Sequence, residues 1–247
     1  MSATRKRLVR LAALLLGAAC ALSSSLAAQA DDPDELYRHR DDLAMARRAA
    51  DLWAPHMAAD FDAAWKLARV SYWIGTQGLA AERRPALDRG VAAARSAIKL
   101  EPNKPEGHFW LAANLGAIAE ASGIMAGLRT KGEVKAELER VIAIQPDWQD
   151  GSAECALARW YFVVPGLGFG GSKTKAEQIL RGVLAKHPDS STALVFLADV
   201  LIDTGRKDEA RKLLYHVLDN PVDPDWAPED RDYKKQASQK LQALDRK

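Results

Sequence analysis

Cysteine is nearly absent: the 247 residues hold two, Cys20 and Cys155. Cys20 falls in an apolar leader, so a processed chain keeps one thiol and no intrachain disulfide can form. Its stability then has to come from packing. Threonine, isoleucine and tyrosine are sparse while Ala and Leu are abundant, a balance that favours helix over sheet. No HExxH is present and none of the five histidines is spaced i, i+4 from another, which removes the usual helical metal motifs. No GxSxG is present either, nor a supported Ser, His and Asp arrangement. Catalytic residues, metal ligands and cofactors are therefore not expected.

The charge balance has a local origin. The formal net charge is +2, but Arg5, Lys6, Arg7 and Arg10 lie in the first thirty residues with no acid among them, so the remainder carries −2. A weakly acidic body gives no electrostatic reason to expect nucleic-acid binding. Behind those cations runs Leu11 to Leu16, almost pure Leu and Ala, and then Ala28-Gln29-Ala30 before the polar Asp31-Asp32-Pro33. This is the layout of an export signal cut after Ala30, which makes 1–30 a leader, 31–247 the mature domain and the periplasm its destination. Two rivals stay open: retention of the apolar stretch as an anchor, and lipidation of Cys20, whose context is imperfect because Gly17 stands where a larger aliphatic residue is usual.

What is present is a repeat. Leu-Ala pairs recur at Leu67-Ala68, Leu111-Ala112, Leu157-Ala158 and Leu197-Ala198. Pro102, Pro146 and Pro188 precede three of them and Pro221 closes the last unit, with spacings of 44, 42 and 33 residues. The last is near the ~34-residue tetratricopeptide period, and the longer two imply insertions. Within units, apolar residues fall at i, i+3, i+4, i+7, as in Leu194, Leu197, Ala198 and Leu201, then Ala210, Leu213, Leu214 and Val217. The expected fold is all-α: a tandem helix-hairpin (tetratricopeptide-like) solenoid of about four repeats plus capping helices. Each Pro should stop a helix, with the following Asn or Asp helping to start the next. Leu36 through Trp53 is expected to form one leading helix broken at Pro55, and Pro228 opens a closing helix with Tyr233, Ala237, Leu241 and Leu244 inward.

Two Gly-rich apolar stretches, residues 123–128 and 163–172, are expected as loops between the helices of a unit, packed against something. Gly166, Gly168 and Gly171 have dinucleotide-fingerprint spacing, but a helix precedes them rather than a strand, so a turn capped by Ser172 is the better reading. Lys173 and Lys175 beside that helix start could still attract an anion.

Most aromatics should be core. In stacked helix pairs the first helices line the concave wall, and the Leu-Ala register turns Trp65, Arg69, Tyr72, Phe109, Arg159, Phe162 and Asp199 towards it. Asn114, three residues past Leu111, and Phe169 of the second insertion complete the candidate binding set.

The stretches Glu106-Gly107-His108-Phe109-Trp110-Leu111-Ala112-Ala113-Asn114-Leu115-Gly116 and Gly170-Gly171-Ser172-Lys173-Thr174-Lys175-Ala176 resemble the T component of tripartite ATP-independent periplasmic (TRAP) transporters. Pro224-Asp225-Trp226-Ala227-Pro228-Glu229-Asp230 is similar to that family's closing segment, and the resemblance covers roughly residues 45–245. Animal regulators of microtubule dynamics are similar in the same central region. The resemblance implies a periplasmic helical-repeat protein that pairs with a solute-binding protein or another envelope protein. It also implies a small apolar or organic-acid ligand, and a homotrimer with an internal hydrophobic channel. The alternative is a generic repeat scaffold for protein–protein contacts in the cell envelope.

Overall fold

The computed structural model describes residues 32–246, so the leader, Cys20 and the cut after Ala30 lie outside the described residues. Among the described residues there is no strand, and no helix is long and apolar enough to cross a membrane. Two short elements lead: α1, Pro33–Arg38, capped by Asp32, and α2, Leu43–Trp53, capped by Asp42. Four hairpins follow. They are α3, Phe61–Gln77, with α4, Ala80–Leu100; α5, Pro105–Ser122, with α6, Ile124–Ile144; α7, Ser152–Val163, with α8, Lys173–Lys186; and α9, Ser191–Asp203, with α10, Lys207–Asp219. A 3-10 turn at Pro224–Trp226 leads into α11, Ala227–Asp245.

The four Leu-Ala pairs sit on the first helix of each hairpin, and all eight residues are buried. Ala68, Ala158 and Ala198 are fully covered, because a methyl group is all that the close approach of neighbouring helices admits. Ala198→Leu should therefore overpack the seam and lower stability by about 1–3 kcal/mol. Denaturant titration measures this, and an unchanged midpoint would place the position outside the packed contact.

The helix stops are where the prolines put them: α4, α6 and α8 each end two residues before Pro102, Pro146 and Pro188. The restarts differ from expectation. The Asn and Asp after those prolines are not the caps of the next helices. Pro105 itself occupies the first turn of α5, and Ser190 rather than Asp189 caps α9, its Oγ accepting from Ala193 N at 3.4 Å. Before α7 the chain coils left-handed through Asp147, Gln149, Asp150 and Gly151.

Two further expectations are corrected. The first insertion is no loop. Gly123, at φ +79°, makes the whole reversal and residues 124–128 are already the first turns of α6. The leading segment is two helices, because Arg40 is turned inward at the break and Asp42 starts α2 afresh with its carboxylate on Ala44 N at 2.8 Å. The second insertion is a loop, and Ser172 does cap α8, accepting from Lys175 N at 3.2 Å.

Arg40 explains the shape of the molecule. It is 2% exposed, 189 residues from its partner in sequence, and donates through Nε to Glu229 Oε1 at 3.0 Å. A second guanidinium N–H goes to the other Glu229 oxygen, and Nη1 donates to Tyr37 O at 3.1 Å. Trp73 Nε1 holds the Arg40 carbonyl at 2.6 Å, and Arg231 bonds Asp41 at 2.8 Å alongside. The two ends of the solenoid are thus latched together.

Candidate functional site

Latching the ends turns the concave wall into a chamber of about 1450 Å³. Every first helix contributes: Arg69 and Tyr72 from α3, Phe109 and Trp110 from α5, Arg159 from α7, Phe196 and Asp199 from α9. Tyr37 of α1 and Tyr233 and Lys240 of α11 close the circuit. The position directly after each Leu-Ala pair lines the chamber in all four units, as Arg69, Ala113, Arg159 and Asp199.

One side is aromatic. Tyr72 lies 5.8 Å from the Trp110 ring, Trp110 stands edge-on to Phe109 at 5.1 Å, and Phe109 meets Trp148 at 4.7 Å. The wall also carries a charge network. Arg159 reaches Glu120 at 3.2 Å and Asp199 at 3.4 Å, and Lys240 bonds the other Asp199 oxygen. Four helices are tied by these pairs, and the Arg159 guanidinium covers the rings of Phe162 at 5.8 Å and Phe196 at 5.5 Å.

Of the residues selected from sequence, Arg69, Tyr72, Phe109, Arg159 and Asp199 come together on the chamber wall. The other four do not. Trp65 is half-buried and bonds Asp62 at 3.0 Å, and Phe162 is half-buried beneath Arg159. Phe169 is 44% exposed on the second loop, where Lys131 donates to its carbonyl at 2.6 Å. Leu167 beside it is 96% exposed, so the tip of the loop does not pack back on the chain as expected, whereas Val164 at its start does pack on the core. Asn114 is fully buried between units, its Nδ2 donating to Ala68 O at 3.1 Å and Trp110 O at 2.7 Å. It is a clamp between α3 and α5, not a wall residue. Sequence reasoning passes over Trp110, Phe196, Tyr37, Lys240 and Glu229. The first two directly precede Leu of a Leu-Ala pair, a signal present in the sequence; the others reach the site only through ring closure.

Burial sets the chemistry of the groups present. Cys155 touches the chamber, but burial, helped by Glu154, pushes its thiol up to about 12, so no thiolate forms near neutral pH. No cluster of three or more potential metal ligands occurs among the described residues. His108 and His216 instead face single carboxylates, Glu137 at 2.5 Å and Asp189 at 2.8 Å, and His187 lies between two, Asp147 at 3.0 Å and Asp150 at 3.6 Å.

Burial likewise pushes the phenols of Tyr37 and Tyr72 up to about 12, with Glu229 and Glu120 adding to the effect and Arg69 and Arg159 opposing it. In the unfolded chain both lose their protons near 10. The folded state therefore holds protons that the unfolded state has released, and stability should fall as pH rises from about 10 to about 12. Phenolate absorbance should appear together with loss of helical circular dichroism, and Tyr72→Phe should flatten the decline. Phenolate formation well ahead of unfolding would contradict the burial.

Comparisons with known proteins agree with this architecture. A family model described as regulator of microtubule dynamics protein 1-3 matches residues 30–177. A tetratricopeptide repeat model matches residues 174–228. No curated protein matches the sequence. Among solved structures, TTC0263, a thermophilic tetratricopeptide protein of Thermus thermophilus, is similar with TM-score 0.63 and 19% identity, over 85% of this chain and 97% of that one. MamA is similar over 83% of this chain and 98% of its own, with TM-score 0.49 and 17% identity.

Proposed function

The chain belongs to the regulator of microtubule dynamics protein 1-3 family, and from that premise we propose that it is a non-enzymatic adaptor that holds a segment of a partner protein in its latched chamber. The observation that carries this reading is the wall itself: first helices of all four hairpins present aromatic and paired charged side chains to one chamber of about 1450 Å³. That volume exceeds the ~300–1,000 Å³ usual for small-ligand pockets and leaves room for a stretch of chain. Tetratricopeptide-type repeats bind protein partners in the same way, by concave surfaces built from successive units.

The finer reading takes account of the leader. With residues 1–30 acting as an export signal, the working place is the periplasm, with Cys20 lipidation as the alternative route to the membrane. The central motifs then favour a TRAP-type transporter as the setting and its solute-binding protein as the partner. A small apolar or organic-acid ligand inside the chamber and a trimeric assembly belong to the same reading. The repeat match over residues 174–228 favours a second one, a general scaffold in an envelope complex.

Tagged full-length protein captured from periplasmic extract tests the choice. A solute-binding protein should be recovered, and recovery should fall in Phe109→Ala, which removes wall without touching the latch. Recovery of assembly machinery instead would favour the scaffold. Capture of nothing, or equal capture by the variant, would sink the chamber as the docking surface, and co-sedimentation with microtubules would replace the reading altogether.

A further inference from the structure

The tip of the second Gly-rich stretch has no task in the chamber, since Leu167 and Phe169 are not among its lining side chains. Three large apolar side chains are nonetheless held out here: Leu167 almost wholly, and Val163 and Phe169 at 44% each. The loop is not slack. Ser172 N donates to Tyr161 O at 2.8 Å and Gly171 N to Pro165 O at 3.1 Å, which closes its base. A Cβ at Gly171 would run into the Val164 carbonyl. Lys131 Nζ fastens the tip to α6 through Phe169 O at 2.6 Å. The chain neighbours of Leu167 and Phe169 are glycines, so no adjacent side chain shields them.

The charge around this tip has one sign. Residues 124–132 and 163–176 hold Arg129, Lys131, Lys173 and Lys175 and no acid. Two of these are joined to the loop by contact: Lys131 lies over the Phe169 ring at 5.0 Å, and Lys175 over the ring of Tyr161 at 4.5 Å. Neither pairs with a carboxylate among the described residues. The acids that follow them in sequence are taken, Glu133 by Arg95 at 3.0 Å and Glu177 by Arg181 at 2.8 Å. The first turn of α8 carries Lys173 and Lys175 and no acid, although the helix dipole favours acids there. Residues 31–247 are net −2, so these cations are gathered against the balance of the body.

We propose that this loop is a membrane-docking tip: Leu167, with Phe169 and Val163 behind it, enters the interfacial layer of an anionic bilayer while Lys131 and Lys175 meet its phosphate groups. The inference goes beyond the chamber reading and does not depend on it. Apolar side chains at the acyl boundary and cations at the headgroups add their contributions in surface binding. A protein partner would need a socket matched to one projecting leucine, and a fluid layer needs none. No helix among the described residues is long and apolar enough to span, so the attachment read here is to the surface.

Co-sedimentation of the full chain with vesicles tests this. Vesicles of phosphatidylethanolamine and phosphatidylglycerol should bind it, and phosphatidylcholine alone at least about tenfold more weakly. Leu167→Asp, at a position with no packing to lose, should weaken binding at least about tenfold. Lys175→Gln should weaken it about fivefold. Helical circular dichroism should be unchanged in both. The apolar leader also takes to lipid, so hydrogen exchange supplies a reading local to the tip. Amides of residues 166–171 should exchange more slowly when the anionic vesicles are added, and Leu167→Asp should abolish that protection. A tip left unprotected by vesicles, or protection and binding retained in Leu167→Asp, would overturn the proposal. Protection by poly-glutamate but not by vesicles would assign the tip to an acidic protein chain and overturn it equally.

Discussion

Arg40→Ala should lower folding stability by about 3–5 kcal/mol, the cost of stranding one partner of a buried ion pair. Glu229 loses both of its guanidinium bonds, and the Tyr37 carbonyl loses the Nη1 donor at 3.1 Å. The guanidinium also stacks on Tyr37 at 4.5 Å and Trp73 at 5.4 Å, so aromatic packing goes with the charge. For a chain of this size each kcal/mol moves the melting temperature by roughly 2–4 °C, so a fall of about 6–20 °C is expected. Small-angle scattering should show the ring opening. The double variant Arg40→Met with Glu229→Met isolates the cause. It removes the stranded charge and refills the space, and should restore most of the lost stability. If Arg40→Ala melts with wild type and keeps its radius, the latch does not hold the ends.

Gly90→Ala is the second large effect, and its sign opposes propensity. In a helix interior alanine is normally favoured over glycine by about 1 kcal/mol. A Cβ at Gly90 would stand 2.1 Å from Asn114 Oδ1. Asn114 cannot simply swing away, because its Nδ2 is spent on two carbonyls and its side chain is fully buried. Moving it breaks buried hydrogen bonds worth about 1–3 kcal/mol each once a partner is left unsatisfied. A net loss of about 2–4 kcal/mol is expected in a denaturant titration. Adding Asn114→Ala should make the second substitution less costly than it is alone, with a coupling of at least about 1 kcal/mol. A Gly90→Ala protein more stable than wild type would show that Asn114 is free to turn.

Asn114 and Arg40 also mark the limits of what the sequence discloses. The Leu-Ala pairs and the helix-stopping prolines are local patterns, each confined to a few turns of chain, and they place all four hairpins correctly. The residue after each pair follows from the same register, which is why Arg69, Arg159 and Asp199 are legible as wall residues. Asn114 is not, because a polar residue on an apolar helix looks alike whether it meets a ligand or bridges two backbones. Only the carbonyls of Ala68 and Trp110 distinguish the cases. Arg40 is invisible for another reason. Nothing near it in sequence separates it from the many arginines that pair three or four residues away, as Arg84 does with Asp88. Its partner is fixed by the summed rotation of every hairpin between them. The helical start of residues 124–128 escapes the sequence because Gly123 and Gly127 both read as breakers, although only the first has a positive φ.

Contact between the first and last elements limits how such a molecule can grow. An open array tolerates duplication or loss of a unit, since each hairpin touches only its neighbours. Here an added hairpin would carry Glu229 away from Arg40, and a missing one would leave the circle incomplete, so copy number is pinned at four by geometry.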